Sequence, residues 1–161
     1  MTFDELLQQV GETTARSVRF QFNLYSEGRI TEDAMRSTVQ SLLELAGTQG
    51  ANYGQIAYAQ HALAMTGAQP ATVADIATTV SRSHTEIAQK SLATLWADGD
   101  IGEVIERVIA VAEALPIQAI QESSGDSLAR DERVEGWTRG LDPGACQPCE
   151  WRWREGGVWP K

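Results

Sequence analysis

Two cysteines, two histidines and a run of tryptophans alternating with arginines are the residues of this chain best suited to chemistry or to gripping a partner. Cys146 and Cys149 are separated by two residues in a segment that also carries Pro143, Gly144 and Pro148. That is the spacing at which a tight turn aims two thiolates at one tetrahedral zinc ion. It is only half of such a site, because no further cysteine exists and His61 and His84 would have to be brought from far along the chain. Three readings stay open: reduced thiols in a simple turn, a zinc site completed by distant ligands, and a redox pair or disulfide. The redox reading wants a strand before the pair and a helix after it, and a structural disulfide is disfavoured in the cytoplasm.

His61 and His84 both fall in helical patterns. Neither has a second histidine or a carboxylate four residues away, where a helix would put two ligands on one face; Glu86 is only two from His84. Both therefore read as surface or capped histidines. Ser81 and Ser83 lie close to His84, but the strained Gly-x-Ser-x-Gly elbow of a hydrolase nucleophile is absent. So are the glycine-rich loops that cradle phosphates, and lysine occurs only at Lys90 and Lys161. The carboxylates fall at helix starts and on solvated faces, where they offset the positive end of the helix dipole or keep the surface wet.

The elements that position these residues read as helices. Thr2 with Glu5 forms a capping box, followed by Phe3, Leu6, Leu7, Val10, Val18, Phe22 and Tyr25 at helical spacing, and the helix should end near Glu27-Gly28. Ile30 before Thr31, with Glu32 and Asp33 in the first turn and Met35 at the staple position, marks a second start. Val39, Leu42, Leu43 and Ala46 give its stripe. Gly47, Gly50 and Gly54 predict a break or kink, with a separate helix running from Tyr53 through Ile56, Ala57 and Leu63 to Gly67. Thr72 with Asp75 opens a further helix, with Ile76, Val80, Ile87 and Leu95 on one face and its end near Gly99. Asp100 with Glu103 caps the next, whose apolar positions run from Val104 and Ile105 through Leu115 to Ile120, with a possible kink at Pro116.

No window alternates as a half-buried strand does. The fold class is all-α: a bundle of four to five helices over residues 1–130, followed by a small irregular segment, 131–161, that holds tryptophan and cysteine. Alanine at Ala46, Ala57, Ala64 and Ala112 lets helices approach closely but buries little area, which leaves room for a partner surface to complete the fold.

With 161 residues there is space for one ordinary domain plus an appendage. Thirteen basic residues against twenty-two acidic give a net charge of -9, which repels nucleic-acid backbones and anionic lipid, so neither a specific nucleic acid nor a membrane is expected as a partner. Residues 1–129 hold sixteen acidic and seven basic side chains, and 130–161 hold six of each, so the excess negative charge belongs to the helical part. The N-terminal twenty residues carry Asp4, Glu5 and Glu12 and no apolar run, and the whole reads as a soluble protein made in the cytoplasm.

Four of the five tryptophans, Trp137, Trp151, Trp153 and Trp159, lie in the C-terminal segment beside Arg139, Arg152 and Arg154. Tryptophan and arginine concentrate binding energy at interfaces, so Trp137, Arg139, Trp151, Trp153 and Trp159 are candidate partner-binding residues; the alternative is that the tryptophans form the core of a small cysteine-turned module. The stretches Gly136-Trp137-Thr138-Arg139, Pro143-Gly144-Ala145-Cys146-Gln147-Pro148-Cys149 and Trp151-Arg152-Trp153-Arg154-Glu155-Gly156-Gly157-Val158-Trp159-Pro160 together resemble the cysteine-containing region of the MuF-like minor capsid, or head morphogenesis, proteins of tailed phages. The version in mycobacteriophages and related actinobacterial phages, often labelled capsid maturation protease, is the most similar.

The resemblance covers about 25 residues and implies a low-copy component inside the phage head. Such a protein is associated with the portal, and with the major capsid or scaffold protein, while the head assembles in the host cytoplasm. In such families a later His and Cys-x-Cys stretch joins the paired cysteines; here the chain reaches Lys161 before any such stretch, so Cys146 and Cys149 stand as a zinc half-site. Three functions compete on these grounds: a structural assembly protein, a capsid maturation protease, and a small zinc- or thiol-dependent binding module. No nucleophile with its base can be named for the second. The assembly role is the expectation taken forward.

Overall fold

The Thr31 hydroxyl accepts a hydrogen bond from the backbone N–H of Ala34 at 3.2 Å, satisfying one of the free amides that every helix start leaves. With Glu32 and Asp33 beside it, this cap opens the longest helix among the described residues. The structure is a computed structural model and describes residues 3–68, 70, 74–97, 99–134, 136, 137, 159 and 160. Four helices follow in order: α1 (Phe3–Ser26), α2 (Glu32–Thr66), α3 (Ala74–Ala97) and α4 (Ile101–Arg130). The fold class is all-α, with four helices among the described residues. Thr2 and Thr72, the expected caps of the first and third helices, lie outside the described residues.

Two compact units divide the chain, residues 1–127 and 128–161. Within the first, α2 and α3 run antiparallel: Thr48 and Glu44 of α2 bond to Ser81 and Gln89 of α3, so position falls on α2 as it rises on α3, and His84 of α3 bonds to Glu122 of α4. The turn from α1 to α2 is closed by Gly28 at φ 68°, and α2 ends on Gly67 at φ 70°, whose N–H returns to the Leu63 carbonyl; both angles favour glycine. Asp100 caps α4 by accepting the Gly102 N–H.

The expected break in the second helix does not occur: α2 is continuous over 35 residues. Its glycines serve packing instead of chain reversal. Gly47, Gly50 and Gly54 lie on one face, and α4 presses against that face in the parallel sense. A Cβ at Gly47 would stand 3.3 Å from Leu115, one at Gly50 would stand 2.5 Å from the Pro116 carbonyl oxygen and 2.9 Å from the Ala119 methyl, and one at Gly54 would stand 2.5 Å from the Ile120 carbonyl oxygen. Alanine does the same at Ala51 and Ala119, both fully buried. α4 remains helical through Pro116, whose missing N–H costs one ladder bond.

The larger core joins Val18 and Phe22 of α1, Met35, Val39 and Leu43 of α2, Leu92 and Leu95 of α3, and Val108, Ala112 and Leu115 of α4. At one end of it the Phe22 and Trp96 rings meet edge to face, with centroids 6.3 Å apart, and the Arg36 guanidinium lies 5.0 Å over Trp96 while pairing with Glu32. A smaller core of Ala51, Ile76, Val80 and Ala119 lies at the level of the glycine seam.

In the second unit, β1 (Gly136–Trp137) and β2 (Trp159–Pro160) pair antiparallel, with Gly136 opposite Pro160 and Trp137 opposite Trp159.

Candidate functional site

Of the candidate partner-binding residues, Trp137 and Trp159 are brought opposite one another by the β1–β2 pairing. Arg139, Cys146, Cys149, Trp151 and Trp153 lie outside the described residues. Among the described residues no cluster of three or more histidine, cysteine, aspartate or glutamate side chains is placed to hold a metal ion, and no helix is long and apolar enough to cross a membrane.

His84 is not a surface histidine. The buried face of α3 runs Ile76, Val80, His84, Ala88, Leu92 and Leu95, one residue every turn, and His84 is 1% exposed. Ile87, expected on that face, is 40% exposed. The His84 Nε2 lies 2.8 Å from the Glu122 carboxylate, which is half in water; a carboxylate accepts, so Nε2 carries the hydrogen and donates. Nδ1 is buried with no hydrogen-bond partner.

The hydroxyls near the level of His84 are also engaged. Ser81 and Thr48 share a hydrogen bond of 2.8 Å between α3 and α2, and Thr48 donates as well to the Glu44 carbonyl, so the Ser81 hydroxyl donates to Thr48. Further along the same interface the Gln55 amide donates to Ser123 Oγ at 2.9 Å and Ser127 Oγ at 2.6 Å, while Ser123 donates to the Ala51 carbonyl. These bonds tie α2 to α3 and α4 along the line where glycine and alanine leave little area for apolar packing. The arrangement fixes helix register. It offers no base to a substrate in solution, because the imidazole is enclosed and its outward nitrogen is held by Glu122.

The sequence did contain the signal for His84: it stands in the Ile76, Val80, Ala88 series at intervals of four. Its partner Glu122 lies 38 residues on, a distance that helical spacing within one element cannot bridge.

The opposite face of α2 points to water. Tyr53, Ile56 and Leu63, expected on a separate helix, are 37%, 52% and 43% exposed, and Leu45 joins them at 54%. Ala64, expected at a stripe position, is exposed too, whereas Ala51, Gly54, Tyr58 and Ala62 face inward. From Leu45 through Thr66 α2 carries no Asp, Glu, Lys or Arg.

The Glu44 carboxylate accepts hydrogen bonds from Gln89 and Gln40, both at 2.9 Å, and these hold its pKa below the usual carboxylate value.

Comparison with protein-family models, with curated proteins and with solved structures gives no match to this chain.

Proposed function

We propose that the chain is a minor structural protein of a tailed-phage head. In this reading the four-helix unit is a stiff mount, and the tryptophan- and arginine-bearing segment that follows it anchors the protein to the portal, or to the major capsid or scaffold protein, during assembly. The observation that carries the reading is the C-terminal motif itself, with Trp137, Arg139, Trp151, Trp153 and Trp159 set around Cys146-Gln147-Pro148-Cys149.

The physical chemistry supports an anchor. Large rigid aromatics beside guanidinium groups supply contact area and directed hydrogen bonds with little loss of side-chain entropy. The pairing of Gly136–Trp137 with Trp159–Pro160 holds the two ends of the segment together, which lowers the entropy lost when the residues between them bind. The acidic helical unit, with sixteen acidic against seven basic residues over 1–129, avoids adhesion to packaged DNA.

The test is incorporation. Trp151→Ala and Trp153→Ala are expected to lower the amount of the protein recovered in purified procapsids while leaving its helical content unchanged. Normal incorporation of both variants would overturn the anchor, and cleavage of capsid or scaffold protein by the purified chain would replace it with a maturation protease.

A further inference from the structure

α2 is well supported at both ends and weak in the middle. Near its start it has the Thr31 cap, the Glu32–Arg36 ion pair and the Gln40–Glu44 bond, the last two at the four-residue spacing that braces a helix. Met35, Val39 and Leu43 seat this near part in the larger core. The far end closes on Gly67. Between them stand Gly47, Gly50 and Gly54. Each glycine lowers the weight of the helical state about fivefold relative to alanine, and the three together lower it about a hundredfold.

What holds this stretch straight comes from α4. The Pro116 and Ile120 carbonyls and the Ala119 methyl fill the space that side chains at Gly50 and Gly54 would need. Ser123 donates to the Ala51 carbonyl at 2.7 Å, a bond from a side chain of α4 to the backbone of α2 inside the glycine run, and the Gln55 amide reaches Ser123 and Ser127. α3 accompanies the near side only. It bonds to Glu44 and Thr48, and with Ser81 level with Thr48 its first residue, Ala74, stands about level with residue 55, beyond which α2 outruns it.

We infer that α2 carries a joint at 47–54 and that α4 is the strap that keeps the joint closed. While residues 116–127 of α4 lie in the seam, α2 is one helix of 35 residues. When they lift, the near part, 32–46, stays in the larger core, and the far part, 55–66, is released at the glycines, where a change of backbone angles costs least. The two states differ by the contacts of one seam. Whatever draws α4 away therefore frees the joint, and whatever bends the joint frees α4, because the coupling is reciprocal. The device belongs to the helical unit and stands or falls apart from the phage-head reading.

Hydrogen exchange of the full chain, read by mass spectrometry on its peptides, reports opening along each helix. In the wild type the amides of 47–66 are expected to exchange together with those of 116–127, and at least about tenfold faster than those of 35–46. Gln55→Ala separates the strap from helix propensity: alanine is the better helix former, yet the change removes the bonds to Ser123 and Ser127. Exchange in 47–66 and 116–127 is expected to rise about fivefold while 35–46 keeps its rate. Asn52→Ala, on the exposed side of α2, improves the helix alone and is expected to slow exchange in 47–66 about threefold. Equal protection along the whole of α2, unchanged or slower exchange in Gln55→Ala, acceleration that spreads equally to 35–46, or no slowing in Asn52→Ala would each overturn the inference.

Discussion

Replacing Gly50 by alanine should destabilise the protein, although the same change at Gly125 should stabilise it. Alanine is better than glycine in a helix interior by about 1 kcal/mol, because glycine loses more backbone freedom on folding. At Gly125, in α4 and exposed, nothing lies within 4 Å of the added Cβ, so that gain should appear almost whole. At Gly50 the Cβ would stand 2.5 Å from the Pro116 carbonyl oxygen and 2.9 Å from the Ala119 methyl, where ordinary contact begins at 3.4 Å. Backbone cannot rotate away as a side chain does, so α4 must retreat by close to an ångström. A gap of that order forfeits a quarter to a half of each dispersion contact across the seam, and overpacking of this kind costs about 1–3 kcal/mol. Set against the propensity gain, Gly50→Ala should cost about 1 kcal/mol. In urea, followed by circular dichroism at 222 nm, the midpoint should fall by about 0.5 M with an unchanged slope, while Gly125→Ala should raise it by about as much. A Gly50→Ala protein as stable as the wild type would refute the tight α2–α4 seam.

Three further perturbations test other parts of the fold. Thr31→Ala removes the hydroxyl that accepts the Ala34 N–H and should lower stability by about 1 kcal/mol in the same urea assay. Glu122→Ala leaves the buried His84 imidazole with neither nitrogen partnered and should cost about 1–2 kcal/mol at neutral pH, whereas exposed Glu86 changed to alanine should cost little. The Glu44 pKa is lowered by its bonds from Gln89 and Gln40, so its contribution is full above the unfolded carboxylate value, about 4.3, and is lost as pH falls through the lower folded value. Melts of Glu44→Gln between pH 6 and pH 3 should therefore show a slightly smaller fall in stability than the wild type; an identical fall would contradict the coupling.

Local signals made most of the helical unit legible in the sequence. The cap at Thr31, the turn at Gly28 and the cap at Asp100 are local chemistry, and each appears where residue type and spacing place it. What the sequence misassigned depended on a neighbour. Gly47, Gly50 and Gly54 look like a helix break because glycine weakens an isolated helix, yet the backbone of α4 makes any larger residue there the worse choice. Along the same helix burial goes to small residues such as Ala51 and Ala62, which permit close approach, while Tyr53, Ile56 and Leu63 stay outside. His84 looked unremarkable because its partner comes from a different helix. Trp137 and Trp159 were legible as types, while their placement opposite one another needed the pairing of positions more than twenty residues apart.

The central claim, a head-assembly role, is tested most directly by mass spectrometry of purified procapsids and mature virions assembled in cells that make this protein. The account predicts that the chain is present in both, in a few to a dozen copies for each portal. Absence from both particles would contradict it, and presence in procapsids followed by loss on maturation would point to a protease or assembly chaperone instead.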